Sequence, residues 1–249
     1  AYRGATAAGI VTNFFFGLLR AYVLIAVFAA SGADTLGGYS LRDAITYTAL
    51  TQALIAAIHI WGWSEVMDTI RTGAIVTHLT KPYDFYRFHL ATDIGRALFQ
   101  LIFRGLPILA VFPLLFDLTW PRDGTHLVAI LLSTGLAILI SFNWRFTVNL
   151  AAFWLVDASG VARLAYLSMT FLSGFLVPVA LFPDWLRFAV NLTPLPAMVN
   201  TPIEVYLGLV SGPALIGALA TQVIWLAITA VVANVGFNRG VRELVTQGG

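Results

Sequence analysis

Long, unbroken apolar runs constrain this chain more than any other feature. Six of them follow one another, at about Phe14–Ala30, Ile45–Trp63, Ala97–Phe116, Leu127–Val156, Ala162–Leu181 and Leu215–Val235. A hydrocarbon core about 30 Å thick needs about 20 mostly apolar residues per helix. Only helices and closed barrels satisfy every backbone N–H and C=O in lipid. Barrel strands would appear as segments of about ten residues alternating apolar and polar, whereas these runs are continuous. The expectation is an all-α, polytopic membrane protein of six transmembrane helices. Composition agrees: 59% of the residues are hydrophobic and 10% charged, against about 25% charged in soluble domains. Mean hydropathy is +0.85. No internal repeat, direct or inverted, is visible.

Basic residues set the orientation. With six spans both termini share a side. That side collects Arg3, Arg71, Lys81, Arg87, Arg96, Arg145, Arg163, Arg239 and Arg242, while Arg42, Arg122 and Arg187 fall opposite. The bias predicts cytoplasmic termini and a cytoplasmic location for the densely charged segment 64–96.

Several chemistries are excluded. There is no cysteine, so disulfides, thiolate metal sites and cysteine nucleophiles are absent. Lys81 is the sole lysine and follows Thr80, so no phosphate-binding Gly-Lys-Ser/Thr loop exists. The four histidines lack zinc spacing, and no G-x-S-x-G elbow occurs. A net charge of +2 argues against a nucleic-acid surface. The chain is expected to be non-catalytic, with no metal site.

Four stretches could carry function. In "GAIVTHLTKP", Ile75, Val76 and Leu79 share one helical side and His78 and Lys81 the other. This is either a short amphipathic helix on the membrane surface or a solvated loop carrying topogenic charge. Arg20 and Arg104 sit inside the first and third runs, where a charge costs about 2.5–3.5 kcal/mol on insertion scales. They either line a route for an anionic or amphiphilic substrate, or bond to neighbouring helices for packing alone. Asn143 and Asn149 interrupt the fourth run; an interfacial belt and a polar pore lining are both open. Finally, Pro178, Pro183, Pro194, Pro196 and Pro202, with Trp185 among them, crowd the stretch after the fifth run. Prolines break helices, so residues 182–213 read either as short helices dipping into the outer leaflet and returning, or as a surface loop anchored by aromatics.

Taken in order, these features resemble a known family. Tyr2-Arg3 precede the first run. "IRTGAIVTHLTKP" between the second and third has Arg71, Thr72, Gly73, Leu79 and Pro82 at matching places. A hairpin follows the fifth run, with Ser173-Gly174, Pro178, Phe182-Pro183, Pro194 to Pro196, Pro202, Tyr206 and Gly208. The chain is similar to the six-span permease subunits of ATP-binding-cassette exporters of the second type, over essentially its whole length. Glu65 and Asp68 are displaced from the acidic position many members have before the glycine.

The resemblance implies one transmembrane permease domain over 1–249. Residues 1–12 would end an amphipathic elbow helix whose start is missing from this chain, 64–96 would be the cytoplasmic coupling segment, and 182–213 the re-entrant outer hairpin. It implies two ATPase subunits, which would hold the ATP and Mg, a second permease of the same or a sister chain, and residence in a bacterial inner membrane. The substrate would be hydrophobic or amphiphilic and would move outward. An ion-coupled secondary transporter or a non-transporting scaffold subunit are the alternatives.

Overall fold

The computed structural model describes residues 2–59, 63–121 and 123–247, with the main chain alone at 2, 3, 5–7 and 245–247. The side chain of Arg3, and Arg122 altogether, lie outside the described residues. The chain is 79% helical. The first apolar run lies in α1, Tyr2–Ser31. A two-residue hairpin, β1 Thr35–Leu36 paired antiparallel with β2 Tyr39–Ser40, leads into α2, Leu41–Ile58. Ser40 and Asp43 form a reciprocal capping box there, satisfying first-turn N–H groups. Two short helices follow, α3 Glu65–Arg71 and α4 Ile75–Leu79.

A long rod then carries the third run. It begins as α5, Phe85–Gln100, passes through one π-helical stretch at Leu101–Gly105, and continues as α6, Leu106–Val111. This helix starts well before Ala97, so Asp93 and Arg96 are part of the same helical rod as the third run. Pro107 has no N–H to donate, and the π stretch lies just ahead of it.

The fourth run is α7, Gly124–Asn149, extended by a 3-10 turn to Phe153. α8, Ser159–Leu172, ends before a non-helical break. Beyond the break come α9 Asp184–Asn191, α10 Leu195–Met198 and α11 Asn200–Leu207. The last run lies in α12, Pro213–Gln247.

Among the described residues, four helical segments are long and apolar enough to cross a membrane: Ala8–Ser31, Phe85–Leu114, Gly124–Phe153 and Pro213–Leu244. The helices of the second and fifth runs are shorter, at 18 and 14 residues. α2 is the most deeply buried of the long helices. Its Thr46, Thr48, Thr51 and Gln52 are inside along with its apolar residues. The main core joins Tyr47, Leu50, Leu54, Ile55 and Ile58 of α2 to Ile140 of α7, Met169 of α8, and Leu195, Met198 and Ile203 of α10 and α11. The proline-rich stretch thus splits in two. α9 turns Trp185 and Phe188 outward, whereas α10 and α11 are packed among the long helices.

Candidate functional site

The segment α3–α4 projects from one end of the bundle, and its tip is built by a reversal at Gly73. There φ is +73°, a left-handed conformation that costs glycine little and most residues much. Arg71, Thr72, Gly73, Leu79 and Pro82 are all exposed and close in sequence around this tip. The apolar side expected for α4 divides. Ile75 is wholly buried, while Val76 and Leu79 face outward at 55% and 39% exposure. Ile75 is the anchor, packed in a cluster with Trp63, Val66, Ile70, Phe85, Phe142 and Phe146. His78 Nδ1 pairs with the Tyr83 hydroxyl at 2.6 Å. Arg71 meets Asp68 at 3.5 Å, a surface pair of small energetic weight. A cleft of about 430 Å³ beside the tip is lined by Asp68, Arg71, Asp157 and Ser159, among others. The Asp157 carboxyl lies below its usual value because it accepts hydrogen bonds from Ser159.

Under this tip, polar side chains from the long helices bind the segment to the bundle. Asn149 of α7 accepts from the Met67 N–H at 2.9 Å and donates to the carbonyls of Trp63 and Arg145 at 3.1 and 2.8 Å. It satisfies a first-turn amide of α3, which the Ser64 side chain does not cap. Tyr166 of α8 also donates to the Trp63 carbonyl. The Tyr86 hydroxyl donates to Asn143 Oδ1 at 2.6 Å. Phe85, at the start of α5, stacks on Phe237 of α12 with ring centroids 5.3 Å apart.

One layer deeper lies a buried ion cluster. Arg145 of α7 donates twice to Asp93 of α5, at 3.2 and 2.7 Å. Arg96 donates to the same carboxylate at 2.9 Å, and also to the Ala56 and Ala57 carbonyls at 2.6 and 2.8 Å. Ser141 donates to the Ile58 carbonyl at 2.6 Å. The last carbonyls of α2, which have no partner within their own helix, are thereby filled by α5 and α7. The Arg145 guanidinium also stands 5.2 Å from the Trp63 ring centroid.

Arg20 and Arg104 belong to a second network, on the α1 side. Arg20 donates to Thr51 Oγ1 at 3.0 Å and to the carbonyls of Phe175 and Leu176 at 2.6 and 2.9 Å. Those carbonyls lie in the break after α8, where irregular backbone needs partners from the protein. Arg104 donates to the Gly9 carbonyl and Asn13 Oδ1 at 3.2 and 3.1 Å. Asn13 Nδ2 donates to the Gln52 carbonyl at 3.3 Å, and the Gln52 amide, turned with its oxygen toward Arg20 and its nitrogen toward the Asn13 carbonyl, bonds to both at 3.1 and 3.2 Å, linking the two arginines. The structure therefore joins Arg20 to Arg104 and gives both partners within the chain. Asn143 and Asn149 stand apart from them, beneath the α3–α4 tip.

The hairpin is tied down by two tyrosines. Tyr47 donates to the Gly174 carbonyl at 2.6 Å and lies 3.0 Å from Asn200 Oδ1. Tyr39 donates to Glu204 at 2.9 Å. Pro194, Pro196 and Pro202 sit at or within the starts of α10 and α11, Pro183 precedes α9, and Pro178 ends the break. Sequence reasoning missed the Asp93–Arg145–Arg96 cluster and both tyrosine ties. The one available signal was that Asp93 and Arg96 abut a long apolar run and Arg145 interrupts another.

Residues 15–248 match the family model described as "ABC-2 family transporter protein". No curated protein and no solved structure matches the chain.

Proposed function

The chain belongs to the ABC-2 family of transporter proteins, and from that premise we propose that it is the permease subunit of an ATP-binding-cassette exporter, driven by ATPase subunits on separate chains. The carrying observation is the α3–α4 tip. It presents Arg71, Thr72, Gly73, Leu79 and Pro82 outward, yet it is fastened through Ile75, Asn149 and Phe85 to α5, α7 and α12. A partner pushing on the tip would move three long helices at once.

In this reading the chain crosses the bilayer six times, with both termini and the tip cytoplasmic. At 1.5 Å per residue the 18 residues of α2 reach about 27 Å, close to the thickness of the hydrocarbon core. α8 and the break after it make the fifth crossing. The buried α10–α11 pair dips between helices from the outer side, which supports a re-entrant hairpin. The substrate, hydrophobic or amphiphilic, passes along a seam between two permeases near the first, second and fifth spans. Arg20 and Arg104 bound that region, and their charge favours amphiphiles bearing negative groups. An ion-coupled transporter would want a free carboxylate inside the spans. Among the described residues the buried acid in the long helices is Asp93, already held by two guanidinium groups.

The test is purification of the chain in mild detergent with its bound proteins. A P-loop ATPase should co-purify. In the purified complex, Leu79→Asp and Gly73→Pro should uncouple ATP hydrolysis from transport. Coupling left intact in both variants would overturn the role of the tip.

A further inference from the structure

A second site lies within the bundle, and none of the tip residues or networked arginines lines it. It is a cavity of about 370 Å³ bounded by α2, the π stretch and α6, α7 and α11. That volume falls within the usual range of small-ligand pockets. Its walls are almost wholly aliphatic, Thr134 and Tyr206 being the polar exceptions. Its mouth is formed by Leu98, Ile102, Leu106 and Leu131, which are 52%, 53%, 57% and 74% exposed. On helices long enough to cross a membrane, such residues face hydrocarbon.

The cavity has a local cause. The π stretch at Leu101–Gly105 interrupts the α-helical packing of the rod. At its end, Gly105 brings the rod against α2: a side chain there would meet the Ala53 carbonyl at 2.9 Å. Gly105 and Ala53 both line the cavity, so this close approach forms one of its walls, facing Ile130, Leu131 and Thr134 of α7 and Ile203 of α11. An apolar void without contents forfeits the dispersion contacts of its lining, and water gains little where few polar groups can bind it. Where these helices cross a bilayer, the medium at the mouth is its hydrocarbon.

We infer that this cavity is a binding site for a single lipid acyl chain, which enters from the bilayer between the π stretch and α7 and packs against Leu54 and Ile203. The site requires that the chain span a bilayer; it does not depend on the transport reading.

The experiment uses the full chain in phospholipid nanodiscs holding about one photoactivatable lipid per protein, with a diazirine at mid-chain. Peptide mass spectrometry after illumination should find adducts on Leu101, Ile102, Thr134 and Ile203 enriched about tenfold over those on Phe15 and Val231. The latter two are exposed but lie away from the cavity. Thr134→Phe should fill the space and Leu131→Trp should block the mouth, each abolishing the enrichment while keeping the wild-type elution profile. Leu131 is so exposed that its replacement leaves the fold intact even if Thr134→Phe does not. Equal labelling of cavity and remote residues would overturn the site.

Discussion

Arg145 and Asp93 meet inside the bundle in a two-bonded ion pair, at 2.7 and 3.2 Å, with Arg145 wholly buried. They lie 52 positions apart in the chain, on α7 and α5, and Arg96 extends the pair to the end of α2. Three long helices are thus joined just beneath the layer where the α3–α4 segment is attached.

Breaking this pair from one side should be costly. Removing one partner of a buried ion pair typically destabilises by about 3–5 kcal/mol, because the other charge is left uncompensated. Asp93→Asn and Arg145→Met should each lower the thermal midpoint in detergent sharply. The double variant Asp93→Asn/Arg145→Met should lose less than the sum of the singles. Additive losses would mean the two residues are not energetically coupled.

Arg20 should behave as a structural cap on the break after α8. Hydrogen bonds to charged groups contribute about 1.5–3 kcal/mol, and lysine lacks the planar fork that reaches two carbonyls and Thr51 together. Arg20→Lys should therefore destabilise nearly as much as Arg20→Met, as read by thermal unfolding. Gly174→Ala should act at the same break, since φ there is +87° and an added Cβ would lie 2.6 Å from the Tyr47 hydroxyl.

Within α4, anchoring and docking should separate. Ile75→Ala removes wholly buried methyl groups and should cost about 2–5 kcal/mol. Val76→Ala, at an exposed position, should stay within about 0.5 kcal/mol while weakening capture of the ATPase partner. Equal stability losses in the two variants would contradict the division seen on this helix.

The N-terminus of α7 should loosen in acid. Asp123 accepts from the His126 backbone N–H and ring Nδ1, both at 2.9 Å. These bonds hold its carboxyl below the ordinary value of 3.8, the backbone bond first. A depressed carboxyl contributes stability that is fully present above its unfolded value and is lost as pH falls through the folded one. Amide exchange at His126, after allowance for the intrinsic rate, should accelerate only below about pH 4. Asp123→Asn should abolish that dependence.

The six crossings proposed here can be checked directly because the chain has no cysteine of its own. Single substitutions Lys81→Cys and Arg242→Cys should react with an impermeant thiol reagent only from the cytoplasmic side. Trp185→Cys should react only from the outside. Labelling of Trp185→Cys from the cytoplasm would require an odd number of crossings between it and Lys81 to be abandoned.

The all-α class and the position of the α3–α4 segment were legible from the chain alone. An apolar run long enough for lipid, or a Gly73-to-Pro82 interval between two such runs, is a local property that survives in any packing arrangement. The partition of α4 was not legible, because Ile75 and Val76 are equally apolar and only the cluster around Phe85 and Phe146 tells them apart. The start of the third helix was also obscured: the charges at Asp93 and Arg96 read as a loop, since Arg145 and the α2 carbonyls that complete their pairing lie far away in sequence.

Sequence by itself determined that this chain must be helical and membrane-embedded, since backbone groups in lipid can be satisfied in few ways and the apolar runs are continuous. Tertiary structure alone decided which charges are partnered. Arg20 finds its carbonyls 155 and 156 positions away, and Asp93 finds Arg145 on another helix. Such pairings depend on which helix faces turn toward each other, a relation between distant segments that hydropathy along one segment does not contain.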